Sequence, residues 1–136
     1  MSRWMYQMSE TEWPSENYRR EVREGALVRW PTRKRMFAHE APAPGDIIVC
    51  FYAPAACDRP GICGFGVITK YLPKTRRFDW LPLPPTNNLK QRPWWDERAQ
   101  EIAELVRAQS PRGTMYQVPA VLDTDLRPGL FAWTKA

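Results

Sequence analysis

The sequence predicts a small, partly open β-barrel of the α+β class with short flanking helices. Three observations carry this reading. Short β-branched and aromatic runs recur along the chain, separated by turns rich in Pro, Gly and Asp. Only two segments have helical patterning, and both are short. Strands and helices do not alternate as a β-α-β series, which argues against a doubly wound parallel sheet. The 136 residues suit one domain, 1–136, long enough to build a core without disulfide staples.

The elements follow in chain order. "RWMYQM" (Arg3–Met8) is an aromatic strand, and "SETEWPSE" then turns the chain. Ser15 is placed to cap a helix through "ENYRREVRE", which Gly25 terminates. "ALVRWP" is a brief apolar piece that Pro31 interrupts, and "HEAPAPGD" is a Pro-rich loop. "IIVCFY" (Ile47–Tyr52) is apolar throughout and reads as a buried strand. "ICGFGVITKY" (Ile62–Tyr71) is a second, with Phe65, Val67, Thr69 and Tyr71 on one face. Gly64 and Gly66 within it imply a bulge or a close approach of another backbone or a ligand. "LPKTRR" is a turn and "FDWLPL" a third short strand. In "WWDERAQEIAELVRAQ", Trp95, Ala99, Ile102, Ala103 and Val106 form a helical apolar stripe. "TMYQVP" (Thr114–Pro119) is a fourth strand, and "LRPGLFAW" is a candidate for the last.

Composition narrows the function. Fourteen Pro, about twice the usual share, fall between apolar runs and indicate ordered loops. A net charge of +5 favours an anionic partner, nucleic acid first, although it also serves solubility. Cys50, Cys57 and Cys63 contain no CxxC, and with the lone His39 they fit no common zinc spacing. No metal and no cofactor are therefore expected. Reduced thiols point to the cytoplasm. The N-terminus has no secretory pattern and no apolar run approaches membrane length, so no membrane partner is expected.

The catalytic inventory is thin: one His, and none of the common nucleophile, metalloprotease or nucleotide-binding motifs. Cys50 lies in an apolar strand and reads as inert. Cys57, beside Asp58 and Arg59, is the one candidate reactive thiol. Asp123 and Asp125 read as a solvated turn rather than an acid–base pair.

The binding inventory is richer. Trp4, Trp30, Trp80, Trp94 and Trp95 offer flat faces, flanked by Arg29, Arg33, Lys34, Arg35, Arg76, Arg77, Lys90 and Arg92. Aromatic rings stack an unpaired base while guanidinium and ammonium groups hold the neighbouring phosphates. "RWPTRKR" (Arg29–Arg35) combines both kinds of group. Asn87 and Asn88 carry the donors and acceptors that read a base edge. Trp95 is claimed by the helix stripe, which leaves Trp94 the freer of the pair. Asn87, Asn88, Lys90 and Arg92 then form a polar lip ahead of the helix. The competing explanation for any single Trp is that it fills the core of a small barrel.

The order of these features resembles the EVE domain of the PUA-like superfamily, a relative of the YTH and ASCH domains. The resemblance rests on "WMYQMSE", on Trp30 after a short helix and "GALVRW", on "PGD" (Pro44–Asp46) opening "IIVCFY", and on "GICGFGVITKY" followed by "FDWLPL". The sequence departs from the family in carrying "PTRKR" after the Trp and Met8 before the Ser-Glu pair. The resemblance implies a PUA-like barrel that holds a modified or flipped-out base of DNA or RNA in an aromatic pocket. Trp30 would be its wall, Ser9, Phe51 and Tyr52 its lining, with Asn87, Asn88 and Trp94 also contacting the base. Arg29, Arg33, Lys34, Arg35, Lys90 and Arg92 would take phosphates. Extruding a base costs a few kcal/mol, which aromatic contacts of about 1–3 kcal/mol each offset. One buried methyl adds only roughly 0.8 kcal/mol, so a hydrogen bond must supply the remaining discrimination. Two alternatives stand beside this reading: a protein-interaction or accessory module without a working pocket, and an enzyme acting on nucleic acid or a nucleotide.

Overall fold

The computed structural model describes residues 2–9, 11–14, 16–32, 41–54, 60–84, 98–109 and 115–126. Its strands are β1 (Arg3–Met8), β2 (Val28–Pro31), β3 (Ile47–Tyr52), β4 (Gly61–Leu72), β5 (Arg77–Pro82) and β6 (Met115–Gln117). Its helices are α1 (Glu16–Glu24), α2 (Ala99–Gln109) and α3 (Ala120–Leu126). The strands form one mixed sheet in the order β2-β5-β4-β3-β1-β6. Only β1 and β3 run parallel; the other neighbours are antiparallel.

The sheet curls strongly into a half-barrel, the small, partly open architecture expected. One side chain makes the curl measurable. Four strand spacings separate β1 from β2, about 19 Å across a flat sheet. Yet the Tyr6 hydroxyl on β1 donates to the Pro31 carbonyl on β2 at 2.7 Å. The side chains that meet in this way define the concave face.

Sequence chemistry explains the elements. Every residue of β3 is buried, so this strand is covered on both faces, and its unbroken apolar run replaces the polar–apolar alternation of a half-exposed strand. In α1, Glu16 opens the first turn and Arg23 closes the last, both complementing the helix dipole. Gly25 ends the helix at φ 62°, a conformation that glycine adopts without steric cost. Ser15, the expected cap, lies outside the described residues, as does Trp95 of the predicted α2 stripe. Ala99, Ile102 and Ala103 of that stripe are buried.

Gly64 and Gly66 mark two close approaches, as their placement in a strand implies. A Cβ on Gly64 would lie 2.8 Å from the Tyr18 ring, and one on Gly66 would lie 2.2 Å from the Leu81 carbonyl oxygen and 2.6 Å from Trp80. The register of β3 on β4 also shifts between Cys50 and Phe51.

Asp46 fastens the start of β3. Its carboxylate accepts from the Ser2 amide at 2.9 Å, the Trp4 indole at 3.0 Å and the Ala43 amide at 2.9 Å. A buried carboxylate is costly unless charge or hydrogen bonds compensate it, and three donors do so here.

Two readings require correction. Residues 120–126 form a helix, whereas Asp123 and Asp125 suggested a solvated turn. Leu122 is buried, and Asp123 forms an ion pair with Arg3 at 3.3 Å, so tertiary partners outweigh the turn preference of Asp. The fold accordingly has three short helices among the described residues rather than the two expected. Residues 127–133 of the last candidate strand lie outside the described residues, and Leu126 closes α3 instead of opening a strand.

Candidate functional site

Strand alternation along β2 sends Trp30 to the concave face and Arg29 to the opposite one. Trp30 meets four aromatic neighbours there. Its ring centroid lies 4.5 Å from Tyr6, 4.8 Å from Trp80, 4.9 Å from Trp13 and 6.4 Å from Phe78. The Trp13 and Phe78 contacts are edge-on, with planes at 89°, whereas Tyr6 is tilted by only 32°. Such pairs each contribute about 0.5–1.5 kcal/mol beyond area burial. Trp30 retains 7% of its surface exposed.

Trp13 comes from the turn that follows β1, and Ser9 builds that turn. The Glu12 amide donates to the Ser9 hydroxyl at 3.2 Å, and the Trp13 amide to the Ser9 carbonyl at 3.0 Å. The Tyr52 hydroxyl, at the end of β3, donates to the Trp13 carbonyl. Ser9 and Tyr52 therefore converge on the segment carrying Trp13, which is half-buried. Phe51 is also fully buried but makes no ring contact with this cluster. Trp80, fully buried beside Trp30, keeps its indole N–H without a hydrogen-bond partner among the described residues.

On the outer face, Arg29 pairs with Asp79 across β2 and β5. Its Nε and Nη2 donate to the two carboxylate oxygens at 2.7 and 3.0 Å. These hydrogen bonds hold the Asp79 carboxyl below its ordinary range; burial opposes the shift and Lys70 assists it. Arg29 remains half-exposed, with donors to spare for a second anion.

The structure thus brings Trp30, Ser9 and Tyr52 to one end of the concave face, joined by Trp13. The remaining site candidates, Arg33, Lys34, Arg35, Asn87, Asn88, Lys90, Arg92 and Trp94, lie outside the described residues, as do His39 and Cys57. Sequence reasoning passed over Trp13 and Tyr6. The alternation Trp4–Tyr6–Met8 on β1 is the signal that points Tyr6 to the same face as Trp30. Trp13 had no such signal, because a turn carries no periodicity. Cys50 is fully buried, and burial pushes its thiol pKa far up, so no reactive thiolate forms there. The described residues hold no cluster of three or more His, Cys, Asp or Glu suited to a metal ion.

No family model matches the sequence, and no curated protein is similar to it. Solved structures do share the fold. A hypothetical protein from Leishmania major superposes with a TM-score of 0.61 at 10% identity, covering 98% of this chain and 97% of its own. A Pseudomonas syringae protein matches at 0.56 and 16% identity, over 93% of this chain and 99% of its own. Rpa0253 from Rhodopseudomonas palustris matches at 0.58 and 15% identity, over 88% and 86%. At such identities the likeness establishes the fold alone, a curled half-barrel compatible with the PUA-like class. No helix among the described residues is long and apolar enough to cross a membrane.

Proposed function

We propose that this chain is an EVE-type, PUA-like module that binds DNA or RNA and receives a modified or flipped-out base at the aromatic cluster around Trp30. The observation that carries the reading is the convergence of Tyr6, Trp13, Trp30 and Trp80 on one concave surface. A nucleobase is the flat, weakly polar ligand that such a surface favours. Trp13 sits edge-on to Trp30 from a turn, so it is the ring whose displacement admits a base. The Trp80 indole N–H, without a partner among the described residues, is a donor for a base carbonyl or ring nitrogen, the hydrogen bond that discrimination beyond one methyl requires. Arg29 at the same edge strand, and the basic residues Arg33, Lys34 and Arg35 that follow in sequence, take the phosphates.

The test is a titration with labelled oligonucleotides carrying modified and unmodified bases. Binding that weakens with salt and is tighter for one modification supports the reading. No salt-dependent binding to any oligonucleotide overturns it. Trp13→Ala and Trp30→Phe should both alter the modified-to-unmodified ratio.

One observation favours a second reading, an accessory or protein-interaction module without an open pocket. Trp30 is only 7% exposed because the chain's own rings surround it. In that case Trp13→Ala changes stability and leaves nucleic-acid binding untouched.

A further inference from the structure

The outer face carries a second feature. An open groove of about 720 Å³ is lined by Arg29, Leu72, Pro73, Lys74, Thr75 and Arg77. Three of these six are cations and none is an acid. The groove spans β2 and the turn between β4 and β5, whose Arg76 and Arg77 the sequence already offers among the bases flanking the Trp residues. Lys74, Arg76 and Arg77 are exposed, and none forms an ion pair with a described residue.

The turn is held in place. The Arg76 carbonyl accepts from the Thr32 amide at 2.8 Å and from the Thr32 hydroxyl at 3.2 Å, which fastens it to the end of β2. Arg76 itself stands at φ 57°, in the left-handed region that favours glycine or asparagine. The chain therefore keeps a cation where the backbone would more readily accept Gly.

We infer that this groove is a second anion-binding surface, and that its occupant is the sugar-phosphate backbone of a nucleic acid. Charge complementarity selects a polyanion, because Lys74 and Arg77 in the groove and Arg76 beside it form no ion pair with a described residue, and one phosphate would satisfy only part of this set. The apolar floor of Leu72 and Pro73 suits the sugar faces between phosphates. Alternation on the four-residue edge strand β2 ties the two surfaces together. Trp30 points to the concave face and Arg29 to the groove, so one strand crossing this edge reaches both. The inference rests on the nucleic-acid reading above but not on base recognition.

The experiment is a salt titration of an unmodified, fluorescently labelled 20-mer, as duplex and as single strand. It compares the wild type with Lys74→Ala/Arg76→Ala/Arg77→Ala and with Lys74→Arg/Arg77→Lys. All three positions are exposed, and circular dichroism reports whether the fold is kept. The alanine variant should bind about tenfold or more weakly at low salt. Its log–log salt slope should be shallower by about 0.9 for each duplex phosphate no longer neutralised, and the charge-preserving variant should behave as wild type. An unchanged affinity and slope in the alanine variant overturns the inference. So does binding to anionic phospholipid vesicles in place of the oligonucleotide. The two proposals fail separately. Equal binding of modified and unmodified bases with a reduced slope removes only the base pocket. Retained discrimination with an unchanged slope removes only the groove.

Discussion

Tyr6 and Trp30 hold the half-barrel closed. Their rings lie 4.5 Å apart although four strand spacings separate their strands in the sheet, and the Tyr6 hydroxyl also donates to Pro31 beside Trp30. Tyr6→Phe keeps the ring contact and removes the hydrogen bond. It should cost about 0.5–1.5 kcal/mol in urea denaturation. Tyr6→Ala also opens a cavity, and should cost about 3–5 kcal/mol, in the range of large aromatic truncations.

The three glycines should separate clash from strain. Gly66→Ala sets a Cβ 2.2 Å from the Leu81 carbonyl oxygen, a backbone atom that cannot turn aside. It should cause the largest loss of thermal stability of the three. Gly64→Ala meets the Tyr18 ring at 2.8 Å, where a side-chain shift relieves part of the overlap. Gly25→Ala meets nothing within 4 Å, and at φ 62° it should cost only about 1–2 kcal/mol of left-handed strain. Thermal melts should rank the variants Gly66→Ala, Gly64→Ala, Gly25→Ala from least to most stable.

Asp79 should leave a pH signature. The hydrogen bonds from Arg29 lower its folded-state pKa below the ordinary 3.8. A depressed carboxylate contributes stability that is fully present above the ordinary value. That contribution is lost as pH falls from 3.8 through the lower folded value. Melts of the wild type and Asp79→Asn between neutral and strongly acidic pH should therefore converge at the acid end. A difference that stays constant across the range would contradict this.

Cys50 should be silent to thiol reagents in the folded protein. It is fully buried, which denies both access and thiolate formation. Peptide-level mass spectrometry after iodoacetamide treatment should show Cys50 modified only once denaturant unfolds the chain. Modification under native conditions would mean that the β3 region opens.

Much of the fold was legible because local patterns agreed with the final structure. β1 and β3 occupy the bounds that their apolar and aromatic runs predict, and α1 ends at the expected glycine. The curled, partly open barrel was legible as an architecture, but the Tyr6–Pro31 and Tyr6–Trp30 contacts across it were not, since the sequence does not mark β2 as a neighbour of β1. Helix α3 was missed because Asp123 favours turns in isolation, and its partner Arg3 lies at the other end of the chain. At the candidate site, Trp30 stood out by its place in the basic and aromatic run Arg29–Arg35 and by the family resemblance. Trp13 and Lys74 did not, because a turn's role is set by what it folds against.

The position of β1 has a consequence for synthesis. Of the described strands it is the first to leave the ribosome, yet it lies between β3 and β6, with Trp4 opposite both Ile48 and Gln117. At about 5–20 residues per second, β6 emerges on the order of ten seconds after β1. Until then one edge of β1, with Trp4, Met5 and Tyr6 along it, waits without its final neighbour. The nascent chain is exposed to aggregation through that edge, and β6, the last of the described strands to be made, is the one that covers it.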